Sequence, residues 1–288
     1  MHFVKYRYIS FIIACGLIAI TIISLFVKGL NYGIDFKGGY VLETHFSKKP
    51  NIDTMRASLE KLNIGAVSIQ QIGDDPSSLL IKLEDQKGDK NQITKVKDTL
   101  GKDVTYRQIE VIGPKVGKEL VNNTMLSIAL TLLAMLVYIT IRFQWRYALS
   151  AILTIFYDCM MIVMLYTVFP LEFSESAIIG ILITAGYSMN DTIVIFDRIR
   201  ENLSRGIKAS IPDIIDRSIV ETLSRTTLTV AATLLSLCAM YFLGGHVIAE
   251  FSLPIIVGVI SGTFSSIFIS APLLLSFGFS KQGLKEDI

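Results

Sequence analysis

The sequence predicts a membrane protein: an all-α bundle of six transmembrane helices, with an α+β, ferredoxin-like domain inserted after the first helix. Hydrophobic residues make up 51% of the 288 residues and the mean hydropathy is +0.54, well above the range of soluble domains. Six apolar runs approach the ~20 residues that a helix needs to cross a bilayer. Strand-like and helix-like patterns alternate between the first two runs.

The apolar runs are flanked by charged residues, as transmembrane helices usually are. The first run is longer than the ~7–15-residue core of a signal peptide and is interpreted as a retained span. The last run is long enough to tilt or to include interfacial turns. The three cysteines, Cys15, Cys159 and Cys238, all lie in apolar runs, which argues against a disulfide or a thiolate metal site, and we expect no metal or other cofactor. The predicted spans are Ile9–Val27, Thr124–Ile141, Leu149–Phe169, Ala177–Phe196, Thr227–Leu243 and Phe251–Phe277.

Basic residues predict the orientation, because Lys and Arg beside the spans favour the cytoplasmic side. Lys and Arg occur at the amino end, in the second-to-third turn, in the fourth-to-fifth loop and in the tail. The turns FPLEFSES and GGHVIAE contain no Lys or Arg. Both termini are therefore predicted to be cytoplasmic. The boundaries are 1–28 for the first span, 29–121 for the external domain, 122–278 for the other spans with a cytoplasmic loop at 197–226, and 279–288 for the tail. The net charge of +2 is too small to indicate nucleic-acid binding.

The external segment has the element order β-α-β-β-α-β, which is typical of a split-βαβ, ferredoxin-like domain. GYVLETHFS, AVSIQQIG, SSLLIKLE and DVTYRQIEVIG have the pattern of strands, and NIDTMRASLEKL and GDKNQITKVKDTL the pattern of helices. The turn signal GDDPSS separates the two middle strands. His45 has no Cys or second His near it in the sequence and is interpreted as a surface residue. We find no catalytic constellation in this segment.

Two aspartates lie inside predicted spans. Asp158 is near the middle of the third span, and Asp191 is about six residues, or ~9 Å, from the cytoplasmic end of the fourth. A charge at the centre of a span costs about 2.5–3.5 kcal/mol, so such groups usually face a bundle interior or a water-filled path. Asp191 follows a stripe of small and polar residues, and a similar stripe on the fifth span includes Arg225. The two stripes are Gly180, Thr184 and Ser188, and Arg225, Thr229, Ala232, Thr233 and Ser236.

Arg225 is a natural partner for a carboxylate across the interface, and the residues allow two interpretations. In the first, Asp191 and Arg225 form a buried structural ion pair near the cytoplasmic surface. In the second, these groups titrate or exchange partners as protons move. One proton that crosses the membrane provides about 2.3 kcal/mol per 100 mV, which is enough to bias a two-state rearrangement.

Two further patterns concern packing. Gly258, Gly262, Ser266 and Ser270 recur every four residues in the sixth span and predict a close-packing stripe. The loop sequence SIPDIIDRSIVETLSR predicts a helix that is capped by Ser210 and leads into Arg225. Its amphipathic pattern is that of a helix at the membrane surface. The apolar face consists of Ile211, Ile214, Ile215, Ile219 and Leu223.

Four motifs, in order along the six spans, resemble the SecD/SecF family of the bacterial Sec translocase, which is distantly related to the RND transporters. They are NYGIDFKGG at Asn31–Gly39, SMNDTIVIFDRIREN at Ser188–Asn202, LSRTTLT at Leu223–Thr229 and VISGTFSSIFISAPLL at Val259–Leu274. A lone DFKGG is a weak signal, but four such motifs on six spans are specific. The residues that match the first two motifs include Gly33, Asp35, Phe36, Lys37, Gly38, Gly39, Asn190, Thr192, Asp197 and Arg198.

The resemblance implies that the chain forms half of an RND-like assembly in the bacterial inner membrane. SecD would supply the other half, and the two would use the proton motive force to act on an unfolded preprotein that emerges from the SecYEG channel, with YajC as an associated subunit. The family's charged aspartate and arginine map to Asp191 and Arg225. Asp158 falls where the family has an aspartate that is often preceded by histidine, and here Tyr157 stands in that place. The resemblance implies that Asp191, Arg225 and Asp158 couple proton flow to movement of the external domains.

Three other function classes are compatible with a polytopic protein that has charged spans. One is a scaffold that stabilises its partners without proton coupling. Another is a small-molecule exporter of the RND type, for which the external segment is shorter than we expect of a drug-binding domain. The third is an intramembrane aspartyl protease, but the GxGD pattern is missing and an aspartyl dyad needs carboxylates about 3 Å apart. We therefore expect no enzyme.

Overall fold

The computed structural model describes residues 3–62, 65, 67–72, 75–84, 92–101, 103–206 and 209–278. The predicted tail at 279–288, the beginning of the second external helix and part of the GDDPSS turn lie outside the described residues. Within the described part of the chain, six helices are long and apolar enough to cross a membrane, and this confirms the predicted number of spans.

The elements follow one another in the order that the sequence predicts. The first span is α1 (Arg7–Lys28), which is followed by the short helix α2 (Ile34–Lys37). A sheet domain comes next, with β1 (Gly39–Phe46), α3 (Ile52–Glu60), β2 (Val67–Gln71), β3 (Ser78–Glu84), α4 (Gln92–Leu100) and β4 (Val104–Ile112). The second to fifth spans are α5 (Pro114–Arg142), α6 (Trp145–Val168), α7 (Glu175–Ser204) and α8 (Ile211–Leu243). The sixth consists of α9 (Gly245–Ser265), a π-helical turn at Ser266–Ser270 and α10 (Ala271–Ser276).

The sheet domain is a four-stranded antiparallel sheet with the strand order β2-β3-β1-β4. Alternate residues of its two central strands are buried, and Leu42 of β1 lies opposite Ile81 of β3. Leu59 of α3 and Val96 of α4 are fully buried in the same cluster, so both helices help to form one core. Asn51 caps α3, because its side-chain oxygen accepts hydrogen bonds from the backbone amides of the first turn.

The third, fourth and sixth spans form the centre of the bundle. More than half of the most apolar segment of each is buried, whereas the first, second and fifth spans leave most of theirs uncovered. The largest apolar cluster lies towards the end of the bundle away from the sheet domain, and it includes Tyr147, Phe196 and Ile215. Three spans thus have large apolar surfaces available to lipid or to another protein.

The predicted surface helix at the start of the fifth span is wrong in one respect. Ser210 caps it as predicted, but the helix continues without a break for 33 residues to Leu243. Its apolar face does not lie open to a membrane surface, because Ile214, Ile215 and Ile219 are buried in the core of the bundle. The fourth span likewise extends to Ser204, so much of the predicted loop at 197–226 is helical.

Candidate functional site

Asp158, in the third span, is fully buried and is held by hydroxyl groups from two other spans. Its Oδ2 atom accepts a hydrogen bond of 2.5 Å from Ser188 Oγ in the fourth span and one of 2.9 Å from Ser265 Oγ in the sixth. Its Oδ1 atom is buried without a hydrogen-bond partner. The carboxylate therefore joins the three helices that form the centre of the bundle.

Small residues bring the fourth and sixth spans close enough for this contact. A Cβ atom added to Gly258 would lie 1.8 Å from Thr184 Oγ1, and one added to Gly262 would lie 3.0 Å from Ser188 Cβ. On the fourth span, a Cβ atom added to Gly180 would lie 2.8 Å from the ring of Pro254. The stripe predicted on each helix thus meets the stripe on the other, and a larger side chain would separate the helices around Asp158.

Asp191 lies three residues beyond Ser188 on the fourth span, towards the end of the bundle opposite the sheet domain. It is buried, and its Oδ2 atom has no hydrogen-bond partner. Arg225 in the fifth span, the predicted partner of this carboxylate, is itself exposed. The first interpretation of the sequence, a buried ion pair between Asp191 and Arg225, is not seen among the described residues, since Asp191 Oδ2 has no hydrogen-bond partner and Arg225 is exposed.

The polar stripe of the fifth span is largely exposed. Arg225, Thr229, Ala232 and Ser236 are exposed and Thr233 is half-buried. The hydroxyls donate hydrogen bonds to backbone carbonyls of their own helix. Thr229 Oγ1 donates to Arg225 O at 2.8 Å, and Ser236 Oγ donates to Ala232 O at 3.0 Å. Exposing an arginine side chain to lipid costs free energy, so this face of the span is suited to contact with protein or water.

The predicted motif residues at the end of the fourth span belong to an ionic cluster that joins several helices. Arg142 Nη2 lies 3.1 Å from Asp197 Oδ1, which ties the second span to the fourth. Glu221 of the fifth span accepts hydrogen bonds from Arg198 Nε at 2.6 Å and from Asn202 Nδ2 at 2.8 Å. This cluster holds the ends of the helices together and does not include Asp191.

The GIDFKGG motif lies at the other end of the bundle, between the first span and the sheet domain. Gly38 has φ +85°, a conformation that favours glycine, and a Cβ atom on Gly39 would lie 2.1 Å from Leu83 O. Asp35 Oδ2 accepts a hydrogen bond of 3.3 Å from the backbone amide of Glu175, and Lys37 Nζ lies 3.4 Å from Glu84 Oε2. The motif residues thus contact both the sheet and the beginning of the fourth span.

Some predicted residues have no part in either carboxylate site, and some that do were not predicted. Asn190 is exposed and Thr192 is buried beside Asp191. Sequence reasoning missed Ser265, although it directly precedes a member of the sixth-span stripe. In the ionic cluster, outside the carboxylate sites, it also missed Glu221, whose position four residues after Arg217 is a recognisable pairing signal.

Comparison with known proteins agrees with the motifs. Residues 92–280 match the family Protein export membrane protein SecD/SecF, C-terminal, and residues 23–50 match the SecD/SecF GG motif. The protein translocase subunit SecF of Rickettsia prowazekii is 38% identical over 290 residues, covering 99% of this chain and 92% of the relative. That of Vibrio alginolyticus is 35% identical over 288 residues, covering 98% of this chain and 91% of the relative.

Two solved structures have the same fold over nearly the whole chain. The crystal structure of SecDF, a translocon-associated membrane protein from Thermus thermophilus, is 31% identical with a TM-score of 0.84, and the match covers 96% of this chain. SecDF in a super-membrane-facing form is 30% identical with a TM-score of 0.73 over 99% of this chain. This chain spans only 38% and 40% of the two SecDF chains. From the motifs, the near full-length relatives and the shared fold, the chain belongs to the SecD/SecF family of protein export membrane proteins.

Proposed function

We propose that this chain is a SecF-like subunit of the auxiliary complex of the Sec protein translocase. With a SecD-type partner it uses the proton motive force to promote preprotein translocation and release on the periplasmic side. The observation that carries this proposal is Asp191, a carboxylate buried in a span with one oxygen that has no hydrogen-bond partner. Burying an ionised carboxylate without a partner costs free energy. Protonation of the carboxylate or an ion pair with Arg225 removes that cost.

The proposed topology places both termini in the cytoplasm and the sheet domain in the periplasm of the bacterial inner membrane. Arg142, Arg198 and Arg217 all take part in ion pairs at the end of the bundle away from the sheet domain. A basic end of this kind favours the cytoplasmic side. The antiparallel order β2-β3-β1-β4 with two helices supports a ferredoxin-like assignment for the periplasmic domain.

The exposed polar stripe of the fifth span supports a membrane-embedded partner. A SecD-type subunit with spans of its own would cover Arg225 and the neighbouring threonines, and would complete an RND-like assembly. The SecDF chains of known structure extend well beyond the part that this chain covers, as a fusion with such a partner would. By the resemblance alone, the SecYEG channel, YajC and unfolded preproteins are the further partners, with lipid around the remaining apolar faces.

In the proposed cycle, Asp191 is neutral when protonated and turns towards Arg225 when ionised. The change from one state to the other alters how the fourth span packs against the fifth span and against the SecD-type subunit. Asp158 and its two serine donors keep the fourth span attached to the third and sixth, so these helices move together. A proton that crosses the membrane supplies about 2.3 kcal/mol per 100 mV for this step.

The test is to replace Asp191 by Asn in the complete complex, in inverted membrane vesicles. We expect the gradient-dependent stimulation of preprotein translocation to be lost while the complex still assembles. Asp53→Asn is the control, because Asp53 is an exposed carboxylate of α3 in the sheet domain, outside the spans. Undiminished stimulation in Asp191→Asn would contradict the proposal.

The same assay separates proton coupling from a passive scaffold. A scaffold with structural membrane charges predicts that Arg225→Gln reduces the amount of assembled complex, with translocation falling in proportion. Proton coupling predicts that the assembled complex is present and no longer responds to the gradient. Co-purification with the partner and the translocation rate are therefore measured on the same preparations.

A further inference from the structure

The segment that follows the first span forms backbone hydrogen bonds with the turn that precedes the fourth. The amide of Gly33 donates to Phe173 O at 2.9 Å, and the amide of Phe173 donates to Asn31 O at 2.8 Å. Together they form a bridge between Tyr32 and Phe173.

Side chains reinforce the bridge on both sides. The buried ring of Phe173 packs against Phe36 at 6.0 Å and against Tyr166 of the third span at 5.3 Å between ring centroids. Asp35 also accepts a hydrogen bond from the first backbone amide of the fourth span. The GIDFKGG motif is therefore bound to the helix that carries Ser188 and Asp191, at that helix's first turn.

A second contact, made by Lys82, joins the sheet itself to the bundle. Lys82 Nζ, on β3, lies 3.4 Å from Glu172 Oε2 in the turn before the fourth span and 3.7 Å from Glu250 Oε1 at the start of the sixth. The Lys82 side chain is only 13% exposed, so these charges interact in a medium less polar than water. A cavity of about 220 Å³ beside the bridge is lined by Lys82, Glu172 and Tyr32.

We propose that the Tyr32–Phe173 bridge and the Lys82 ion pairs together form a transmission joint, by which the sheet domain follows movements of the fourth and sixth spans. Lys82 is the positioning residue of this joint, and the inference rests on the proposed function. The backbone bridge fixes a pivot at the fourth span, because its hydrogen bonds are main-chain bonds beside buried aromatic rings. Lys82 fixes the angle of the sheet about that pivot, because it contacts the turn before the fourth span and the start of the sixth, the two spans whose serines bond to Asp158.

The joint is tested by reversing charges in the complete complex. Lys82→Glu places an acid opposite Glu172 and Glu250, and Lys82→Glu combined with Glu172→Lys restores an opposite pair. Arg107→Glu is the control, because it reverses a pair with Glu43 that lies wholly within the sheet. Spin labels at exposed Thr105 of β4 and exposed Leu243 of the fifth span report the position of the sheet, in a chain whose native cysteines are replaced by serine.

We expect Lys82→Glu to broaden the distribution of label distances. Gradient-dependent translocation should fall about two- to fivefold, as for the loss of partly exposed ion pairs. The double variant should recover both, and Arg107→Glu should change neither. If Lys82→Glu assembles poorly, Lys82→Gln gives the same comparison with a smaller perturbation. Unchanged distances, or a fall in translocation that Glu172→Lys does not reverse, would overturn the joint.

The inference and the proposed function fail separately. If Asp191→Asn abolishes gradient-dependent translocation while the Lys82 variants leave label distances unchanged, the joint is wrong and proton coupling stands. If Asp191→Asn has no effect, proton coupling is wrong whatever the label distances show.

Discussion

Asp158 and Asp191 are buried carboxylates on neighbouring helices of one bundle, and their surroundings are opposite in kind. Asp158 is enclosed, with one oxygen bonded to serines of the fourth and sixth spans. Asp191 has an oxygen without a hydrogen-bond partner, and Arg225, its predicted partner, belongs to an exposed face. An aspartate can therefore join helices through hydrogen bonds at one position and keep an oxygen without a hydrogen-bond partner at another. What differs is whether the surrounding helices provide donors.

The largest expected effect separates the two carboxylates by function. Asp191→Asn should reduce gradient-dependent translocation by at least about tenfold, which corresponds to 1.4 kcal/mol, because the group that exchanges the proton is gone. Asp158→Asn should retain a measurable part of that stimulation, because an amide oxygen can still accept from Ser188 or Ser265. Translocation into vesicles with and without a proton gradient measures both. An equal loss of gradient-dependent translocation in the two variants would show that the two carboxylates do not differ in function.

A second prediction opens the enclosed site by separating its helices. Gly258→Ala should destabilise the bundle by about 1–3 kcal/mol, because the new methyl group overlaps Thr184. Gly186→Ala is the matched control on the fourth span, since a Cβ atom there meets nothing within 4 Å. Thermal unfolding in detergent compares the variants. An unchanged midpoint for Gly258→Ala would show that the helices relax without cost.

A third prediction removes one donor from Asp158. Ser265→Ala should cost about 1 kcal/mol, the usual net value of a buried hydrogen bond. Ser252→Ala on the same helix is the control, because Ser252 is equally buried but bonds only to Ile248 O within its own helix. Denaturant unfolding of the two variants should therefore differ, and identical curves would mean that the Asp158 contact contributes no stability.

The smallest effect is expected for a carboxylate outside the membrane, which serves as a solvated reference. Hydrogen bonds from the Ser77 amide and the Ser78 hydroxyl hold the pKa of Asp75 below its ordinary value of 3.8. A lowered folded-state pKa means that the ionised group stabilises the turn above the unfolded pKa, and that this stability is lost as the pH falls through the folded value. Amide chemical shifts of the turn should change as the pH falls below about 4, and Asp75→Asn should abolish that change.

Local patterns predicted most of the fold. The number of spans followed from apolar runs of membrane length, and the strands and helices of the external segment followed from their periodicity. The surface helix at Ser210 was misjudged because an amphipathic pattern shows that one face is apolar without showing what covers it. In the structure Ile215 and Ile219 pack against the bundle and not against lipid.

For the candidate site, the sequence by itself determined which charges lie in spans and that the stripes around Gly180 and Gly258 are small enough for close packing, since both depend only on residue type and helical spacing. Only the tertiary structure decided the partners. It gave Asp158 the hydroxyls of Ser188 and Ser265, left Asp191 unpaired and turned Arg225 outwards. The physical reason is that hydrogen bonds between spans depend on how the helices rotate and approach one another, and packing of the whole bundle sets both.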